Sequence, residues 1–584
     1  MSANQNKYMA NYQPIYDIAE LCSQKGVSNA ILCPGSRCAP LTIAFSRHEN
    51  ITTRSVSDER SAGFIALGIA HQTKVPVVLL CTSGSAAYNF APSVAEAFYQ
   101  QIPILVITAD RPKEWIDQLD GQTINQTGIY GSHCKKSFEL PQEYEHSDAH
   151  WHINRIVNEA INLANEFPQG PVHINAPFRE PLYPSSSEAI TFSKSPRIIE
   201  SLNASKKIAD KEIEEVKNDI ASFRKILIVA GQDDFNESLV KSVEKFVKQH
   251  HAVIVGDIIS NFHSLSQTIR HADSFLAHCG ESVKQSLQPE LLITFGKSVI
   301  SKNLKLFIRQ HRPQQHWHIQ TNGSVADTFQ TLTKVIHVSP KHFFSSLALE
   351  SSASGFETQK KANFVSLWEA EDHRTERSAG NFFASPALTE LGIVRELIKA
   401  LPQRCNLHLA NSMTVRYANF IGLEAGKKGI HVFANRGTSG IDGCTSTAVG
   451  HALTSDVPNF LITGDMAFFY DRNAFWNNYP IPNLRVVVLN NHGGIIFSII
   501  DGPGNLPERK EYFVTEQKLT AKNLCEEFGF AYLKLDSIKK LKNIMNDFMD
   551  FDGKTKVLEV ESDQDLTIEQ FVKFKQEIKK GYEA

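Results

Sequence analysis

At 584 residues the chain is too long for one hydrophobic core and calls for roughly two to four domains. Its 42% hydrophobic and 21% charged residues describe an ordinary globular protein, and a net charge of −3 offers no global attraction to nucleic acid or an anionic membrane. Nine scattered cysteines without a CxxC pair, a polar N-terminus and no apolar run near the ~18 residues of a membrane helix exclude a zinc or disulfide framework and a membrane span, so a soluble cytoplasmic protein is expected.

In chain order, residues 1–185 alternate helical and strand-like segments. A helix over 12–25 precedes a strand at 30–32, which runs into the turn Pro34, Gly35, Ser36, Arg37. A small-residue helix over 61–71 and apolar strands at 75–80 and 104–108 follow, so this part reads as βαβ and a parallel sheet. A Ser-, Pro- and Lys-rich linker is expected over 184–206. The segment 207–345 reads as a second α/β unit, with strands at 226–230, 252–255, 291–294 and 335–338. Gly296, Lys297 and Ser298 follow one of these strands, but a phosphate loop needs another glycine where Leu291 stands, and no GxGxxG follows any strand. Nucleotide-binding readings therefore fail. A charged linker over 350–384 with a surface helix at 358–376 leads to a third α/β unit, 385–584, which closes with a strand at 557–560 and a solvated Lys/Glu-rich helix at 569–580.

The third unit holds the most informative stretch. An apolar run ends in Gly464 and Asp465, and a second ends in Asn490, Asn491, His492, Gly493 and Gly494. Both runs read as buried parallel strands, and ligands of such sheets collect at carboxyl ends of strands. There, a carboxylate and a carboxamide supply the hard oxygens that Mg²⁺ shares with water and phosphate; ordinary strand-end turns are the plain alternative. An internal echo adds to this. SAGFIALGIAHQTKVPVVLLCTSGS (61–85) parallels IDGCTSTAVGHALTSDVPNFLITGDM (441–466), as if the first and third units were divergent copies.

The GD and NN pair resembles the thiamine diphosphate and Mg²⁺ motif, with Met466 and His492 departing from its commonest wording. Together with CPGSR (33–37), SDERSAGF (57–64), TSGSAAYN (82–89), TADRP (108–112), NSMTVR (411–416) and NRGTSGIDG (435–443), it resembles the 2-succinyl-5-enolpyruvyl-6-hydroxy-3-cyclohexene-1-carboxylate synthases of menaquinone biosynthesis, from about 33 to about 500. The resemblance implies three doubly wound parallel-sheet domains of the thiamine-diphosphate-binding α/β fold: 1–185 for the pyrimidine, a central 207–345, and 385–584 for the diphosphate and metal. It implies a transferase that decarboxylates 2-oxoglutarate and adds the succinyl-semialdehyde carbanion equivalent to isochorismate. By the same resemblance Glu59 is catalytic. Ser83, Gly84, Ile441, Gly464, Met466, Gly494, Ile496 and Phe497 surround the cofactor. Asp465, Asn491 and the Gly493 carbonyl hold Mg²⁺, or Mn²⁺ in its place. Ser36, Arg37, Arg111, Gln122, Lys302, Asn411, Ser412, Arg416 and Arg436 meet the two dianionic substrates, for which arginine suits better than lysine. A homodimer or homotetramer is implied, with each cofactor between the first domain of one subunit and the third of its neighbour. Two other readings stand beside this one: a related carboligase or decarboxylase for monoanionic 2-oxo acids, and a non-catalytic relative that keeps the fold.

Overall fold

The computed structural model describes residues 12–184, 190–202, 204–347, 355–385, 387–424, 426–500 and 502–583. Three six-stranded sheets organise the chain. The first contains β1 (Asn29–Leu32), β2 (Thr52–Ser55), β3 (Val77–Cys81), β4 (Ile104–Asp110), β5 (Ser137–Glu139) and β6 (Val172–Pro177), in the order β2-β1-β3-β4-β6-β5. Every residue of β3 and β4 is buried, as expected of parallel strands covered on both faces. Helices Gln13–Gln24 and Ser147–Asn165 cover the face carrying Leu32, Val78, Leu80 and Ile107.

The second sheet contains β7 (Ile226–Ala230), β8 (Val253–Gly256), β9 (Thr268–Ile269), β10 (Leu291–Phe295), β11 (Gln315–Ile319) and β12 (Lys334–Ile336), ordered β12-β11-β10-β7-β8-β9. The third contains β13 (Arg404–Leu409), β14 (Gly429–Phe433), β15 (Asn459–Gly464), β16 (Leu484–Asn490), β17 (Ala531–Leu535) and β18 (Lys556–Glu561), ordered β14-β13-β15-β16-β18-β17. Counted from its own first strand, the third sheet has the same order as the first, and the second does not. The first and third sheets are divergent copies, with β3 matching β15 and β4 matching β16.

Two compact units result. One comprises Met1–Asn203, Asn435–Asp456 and Ala467–Leu484, and holds the first sheet. The other comprises Ala204–Ala434, Val457–Met466 and Arg485–Ala584, and holds the second and third.

Three segments differ from their sequence reading. Within the 184–206 linker, residues 190–199 are strapped to the first unit: Asp17 accepts from the Ser193 N–H at 2.8 Å, Asn158 from the Ile199 N–H at 2.8 Å, and Ile190, Phe192 and Ile198 pack on the core. The expected surface helix is Gly355–Phe382, and it buries Phe364 and Trp368, one turn apart, with the Trp368 indole donating to Leu287 O at 3.3 Å. The closing helix, Gln564–Glu583, is solvated on one face only, since Phe571, Phe574 and Ile578 enter the core of the third sheet. In both helices a single apolar stripe is hidden within a charged run.

Two buried histidines make stability depend on pH. His173 lies between the hydroxyls of Thr108 and Ser137, both at 2.8 Å, and His316 between those of Thr294 at 2.8 Å and Thr331 at 3.0 Å. Burial pushes His173 down to about 3 and His316 to about 4, from an ordinary 6.5. Below pH 6.5 the unfolded chain takes up protons that the folded chain refuses, so this stability is intact above 6.5 and lost as pH falls. Each histidine should cost about 2 kcal/mol at pH 5. Buried carboxyls such as Asp110, raised to about 6 by burial, shift the other way, so variant and parent must be compared at each pH. The melting deficit of His173→Gln or His316→Gln should shrink by about that amount between pH 7 and pH 5. A deficit independent of pH would show that these rings titrate normally.

Candidate active site

In the first unit the loops leaving β1, β2, β3 and β4 emerge from neighbouring strands at the same edge of the sheet. The β1 loop carries Ser36 and Arg37, the β2 loop Asp58 and Glu59, the β3 loop Thr82, Ser83 and Gly84, and the β4 loop Arg111. They are pressed together: a Cβ on Gly35 would lie 2.3 Å from Thr82 Cβ, and one on Gly84 would lie 3.2 Å from Gln122 Cα. Gln126 fixes this packing, accepting from the Gly84 N–H at 2.8 Å and donating to Ala109 O at 3.1 Å. The Thr82 and Ser83 hydroxyls and Arg111 Nε are buried here without a partner. Buried polar atoms are rarely left so, and their gathering at strand ends marks a place for a ligand.

Of the two acids after β2, Asp58 is committed to structure. It caps helix Glu59–Thr73, accepting from the Arg60 and Ser61 N–H groups at 3.0 and 3.4 Å, and takes the Asn473 amide at 2.8 Å. Glu59 is half-buried at the first helical position, and its carboxylate receives the Asn89 amide at 3.2 Å. Arg37 is buried and donates to Phe178 O at 3.0 Å. Burial first, and then the neighbouring Arg111, lower its guanidinium below the ordinary value. Arg37 also pairs with Glu180 at 3.4 Å, and Arg111 with Asp120 at 3.7 Å. Arg436 lies in a loop whose Gly437 and Thr438 N–H groups donate to Glu96 at 2.8 and 2.6 Å, and Ile441, at 36% exposed, follows in the same loop. Glu96 is fully buried and carries no motif; sequence reasoning missed it.

In the second unit β13, β15, β16 and β18 are neighbours, and their carboxyl ends present Asn411 and Ser412, Gly464 and Asp465, Asn490 and Asn491, and Ser562. Asp465 is 1% exposed and opens helix Asp465–Tyr470, so Met466 takes an ordinary helical place where no glycine is required. Its carboxylate accepts from Gln517 Nε2 at 2.6 Å and from the Met466 and Gly493 N–H groups, yet burial outweighs these donors and lifts it to about 6. Asn490 is structural: its amide donates to Glu559 at 2.7 Å. Asn491 is different. Its Nδ2 donates to Glu390 at 2.6 Å, its main-chain carbonyl accepts from Gln564 at 2.9 Å, and its Oδ1 is buried without a partner. His492 has φ 63°, accepts strain that asparagine bears more easily, and pairs with Glu561 at 2.7 Å. A Cβ on Gly493 would lie 2.7 Å from Val514 Cγ1, and the Gly494 N–H donates to Val514 O at 2.7 Å. Ile496 and Phe497 open the short helix Ile496–Ile499, with Phe497 5.9 Å from the Phe513 ring.

These donors fit Mg²⁺: one carboxylate, one carboxamide oxygen free of other partners, and glycines that let main-chain oxygens approach. Among the described residues no group of three His, Cys, Asp or Glu side chains could hold a metal. Gln517, Gln564 and Glu390 support the donors and escaped sequence reasoning, because nothing local sets them apart.

Arg416 and Lys302 lie in this unit as well. Arg416 lies on helix Met413–Ile421, lowered by burial and countered by Asp273, while Asp273 accepts from the Asn303 N–H at 2.7 Å beside Lys302. Asn419 on the same helix accepts from the Ile258 N–H at 2.9 Å and reaches Asp257, which accepts from the Ser301 N–H at 3.1 Å. The loop before Lys302 and the helix bearing Arg416 are thus tied together.

Family profiles match in two places. Residues 16–129 match "Thiamine pyrophosphate enzyme, N-terminal TPP binding domain", and 202–409 match "Middle domain of thiamine pyrophosphate". A 2-succinyl-5-enolpyruvyl-6-hydroxy-3-cyclohexene-1-carboxylate synthase of Cytophaga hutchinsonii is 44% identical over 98% of this chain and 100% of its own length. The chain belongs to this synthase family. Relatives of the same description from Flavobacterium johnsoniae, 39% identical over 95% of this chain and 98% of their own, and Bacteroides thetaiotaomicron, 37% over 91% and 92%, extend the match. Membership makes it a thiamine-diphosphate-dependent transferase of menaquinone biosynthesis. Among the described residues no helix is long and apolar enough to cross a membrane.

Proposed function

We propose that this protein decarboxylates 2-oxoglutarate and joins the remaining four-carbon unit to isochorismate, with thiamine diphosphate and Mg²⁺, in the cytoplasm and as a homodimer or larger homo-oligomer. The observation that carries the metal assignment is the buried, unpartnered Asn491 Oδ1, which emerges from the strand beside that of Asp465. Asp465, Asn491 and the Gly493 carbonyl would hold the metal, and through it the diphosphate. When bound, thiamine diphosphate supplies the nucleophilic carbon and electron sink that a 2-oxo acid needs to lose CO₂.

The chain's own residues would do the rest. Glu59 would bind the pyrimidine ring and keep a proton shared at its carboxyl, with Asn89 orienting it. Ser83, Gly84, Gly464 and Gly494 would give main-chain approach, and Ile441, Ile496 and Phe497 would exclude water from the reacting carbon. Arg37 and Arg111 on the first unit, with Ser36 and Gln122, and Arg416 and Lys302 on the second, with Asn411 and Ser412, suit carboxylates; Arg436 adds a further cation. Two dianionic substrates explain so many cations on a chain of net charge −3.

A single assay tests this: purified protein, thiamine diphosphate, Mg²⁺, 2-oxoglutarate and isochorismate, following isochorismate absorbance. Consumption should require all four additions. CO₂ release without isochorismate loss would move the acceptor, and silence with every 2-oxo acid would end the catalytic reading.

A further inference from the structure

Asn491 stands out in its surroundings because one end of its side chain is engaged and the other is not. Glu390 takes the amide nitrogen, Gln564 takes the main-chain carbonyl, and Oδ1 is left. A carboxamide can present either its oxygen or its NH₂ to a site, since the two ends have nearly the same shape. Only the oxygen can bind a cation. Something must therefore hold the amide in one of two orientations.

We infer that Glu390 is the positioning residue that fixes Asn491 with its Oδ1 turned toward the metal. Glu390 lies in the first turn of helix Glu390–Ala400, 2% exposed, and that turn is anchored by Thr389, whose hydroxyl accepts from the Gly392 N–H at 3.3 Å. Its Oε1 accepts from Asn491 Nδ2 at 2.6 Å, and the Tyr417 phenol and Ser562 hydroxyl face the same carboxyl. As a carboxylate Glu390 can only accept, so it takes the NH₂ end of Asn491. Reversing the amide would set oxygen against oxygen and turn NH₂ toward the cation, losing two favourable contacts at once. The three helpers come from helix Glu390–Ala400, helix Met413–Ile421 and the end of β18, so the orientation is fixed by packed elements rather than by the loop that carries Asn491. Partners of this kind typically contribute 10–100-fold to metal affinity.

The inference rests on Asn491 being a metal ligand, and the test separates the two. The Mg²⁺ concentration that half-saturates cofactor uptake is read from quenching of intrinsic fluorescence at fixed thiamine diphosphate, without substrate. Glu390→Met, which removes the acceptor and keeps the volume, should raise it about 10–100-fold. Glu390→Gln can still accept from Asn491 and should stay within about threefold. Asn491→Ala is the reference. If it leaves the Mg²⁺ requirement unchanged, the metal assignment fails and this inference with it. If Asn491→Ala raises the requirement while Glu390→Met does not, or if Gln and Met raise it alike, the metal assignment stands and Glu390 is no positioning residue. Should Glu390→Met fail to fold, the double variant Tyr417→Phe with Ser562→Ala takes its place. A rise of threefold or more is expected, because the carboxyl is then free to turn, and an unchanged requirement overturns the inference.

Discussion

Glu59→Gln should leave the protein folded and able to take up thiamine diphosphate with Mg²⁺, and should lower kcat by about 10²–10⁴, the usual worth of a positioned acid or base. The structure makes this substitution unusually clean. Asp58 caps helix Glu59–Thr73 and also holds Asn473, so the helix terminus survives without the Glu59 charge. A glutamine side-chain oxygen can still accept from Asn89, which now reaches Glu59 at 3.2 Å. The lost attraction between a carboxylate and the helix N-terminus is worth only about 0.3–1 kcal/mol. Activity and stability therefore separate. The measurement pairs a titration of cofactor uptake with turnover on the substrate pair. Turnover within threefold of the parent would remove Glu59 from the chemistry. A collapse of cofactor uptake would instead show that the Glu59 carboxyl is needed to hold the cofactor, leaving its part in the chemistry unsupported.

The strand-end loops were legible because each follows a continuous apolar run. Gly464 and Asp465 end β15, Asn490 and Asn491 end β16, and the turns at 33–37 and 82–84 follow β1 and β3. Parallel pairing needs both faces buried, so such strands announce themselves, and the turn residues behind them mark where ligands collect. The residues that support the donors were not legible. Glu390 sits in an amphipathic helix where a glutamate in the first turn is ordinary, and only its burial against Asn491, Tyr417 and Ser562 gives it a role. Glu96 is likewise one more helical glutamate until Gly437 and Thr438 donate to it. Met466 and His492 looked like departures from a motif, but one lies in a helix and the other adopts a left-handed backbone that histidine tolerates. The charged stretches were misread for a related reason: composition averages over a helix, whereas Phe364 and Trp368 are buried by their spacing.

Gly68→Val should be the most damaging substitution for the fold. Helix Glu59–Thr73 crosses helix Cys444–Ala452 with their main chains in contact. A Cβ on Gly68 would lie 2.2 Å from Thr447 O, and one on Gly450 would lie 2.2 Å from Ile65 O and 3.0 Å from Gly68 Cα. Each obstacle is backbone, so no rotamer change relieves it and the helices must separate. Both are buried along almost their whole length, and separation opens gaps along the crossing. Gly68→Ala should cost at least about 2–3 kcal/mol, and Gly68→Val should prevent folding of the unit. Gly380 is the internal control: it lies within helix Gly355–Phe382 with nothing within 4 Å of the place a Cβ would take, and Gly380→Ala should stabilise by about 0.5–1 kcal/mol. Thermal unfolding of the three variants checks the contrast, and equal melting temperatures for Gly68→Ala and the parent would show that the crossing has slack. The consequence reaches the chemistry. Glu59 starts one helix, and Gly443, which caps the other at φ 71°, sits where a Cβ would strike the Phe64 ring at 2.2 Å. The same crossing that stabilises the unit fixes the helix that Glu59 starts, so a Gly68→Ala protein that still folds should lose turnover by more than its stability loss explains.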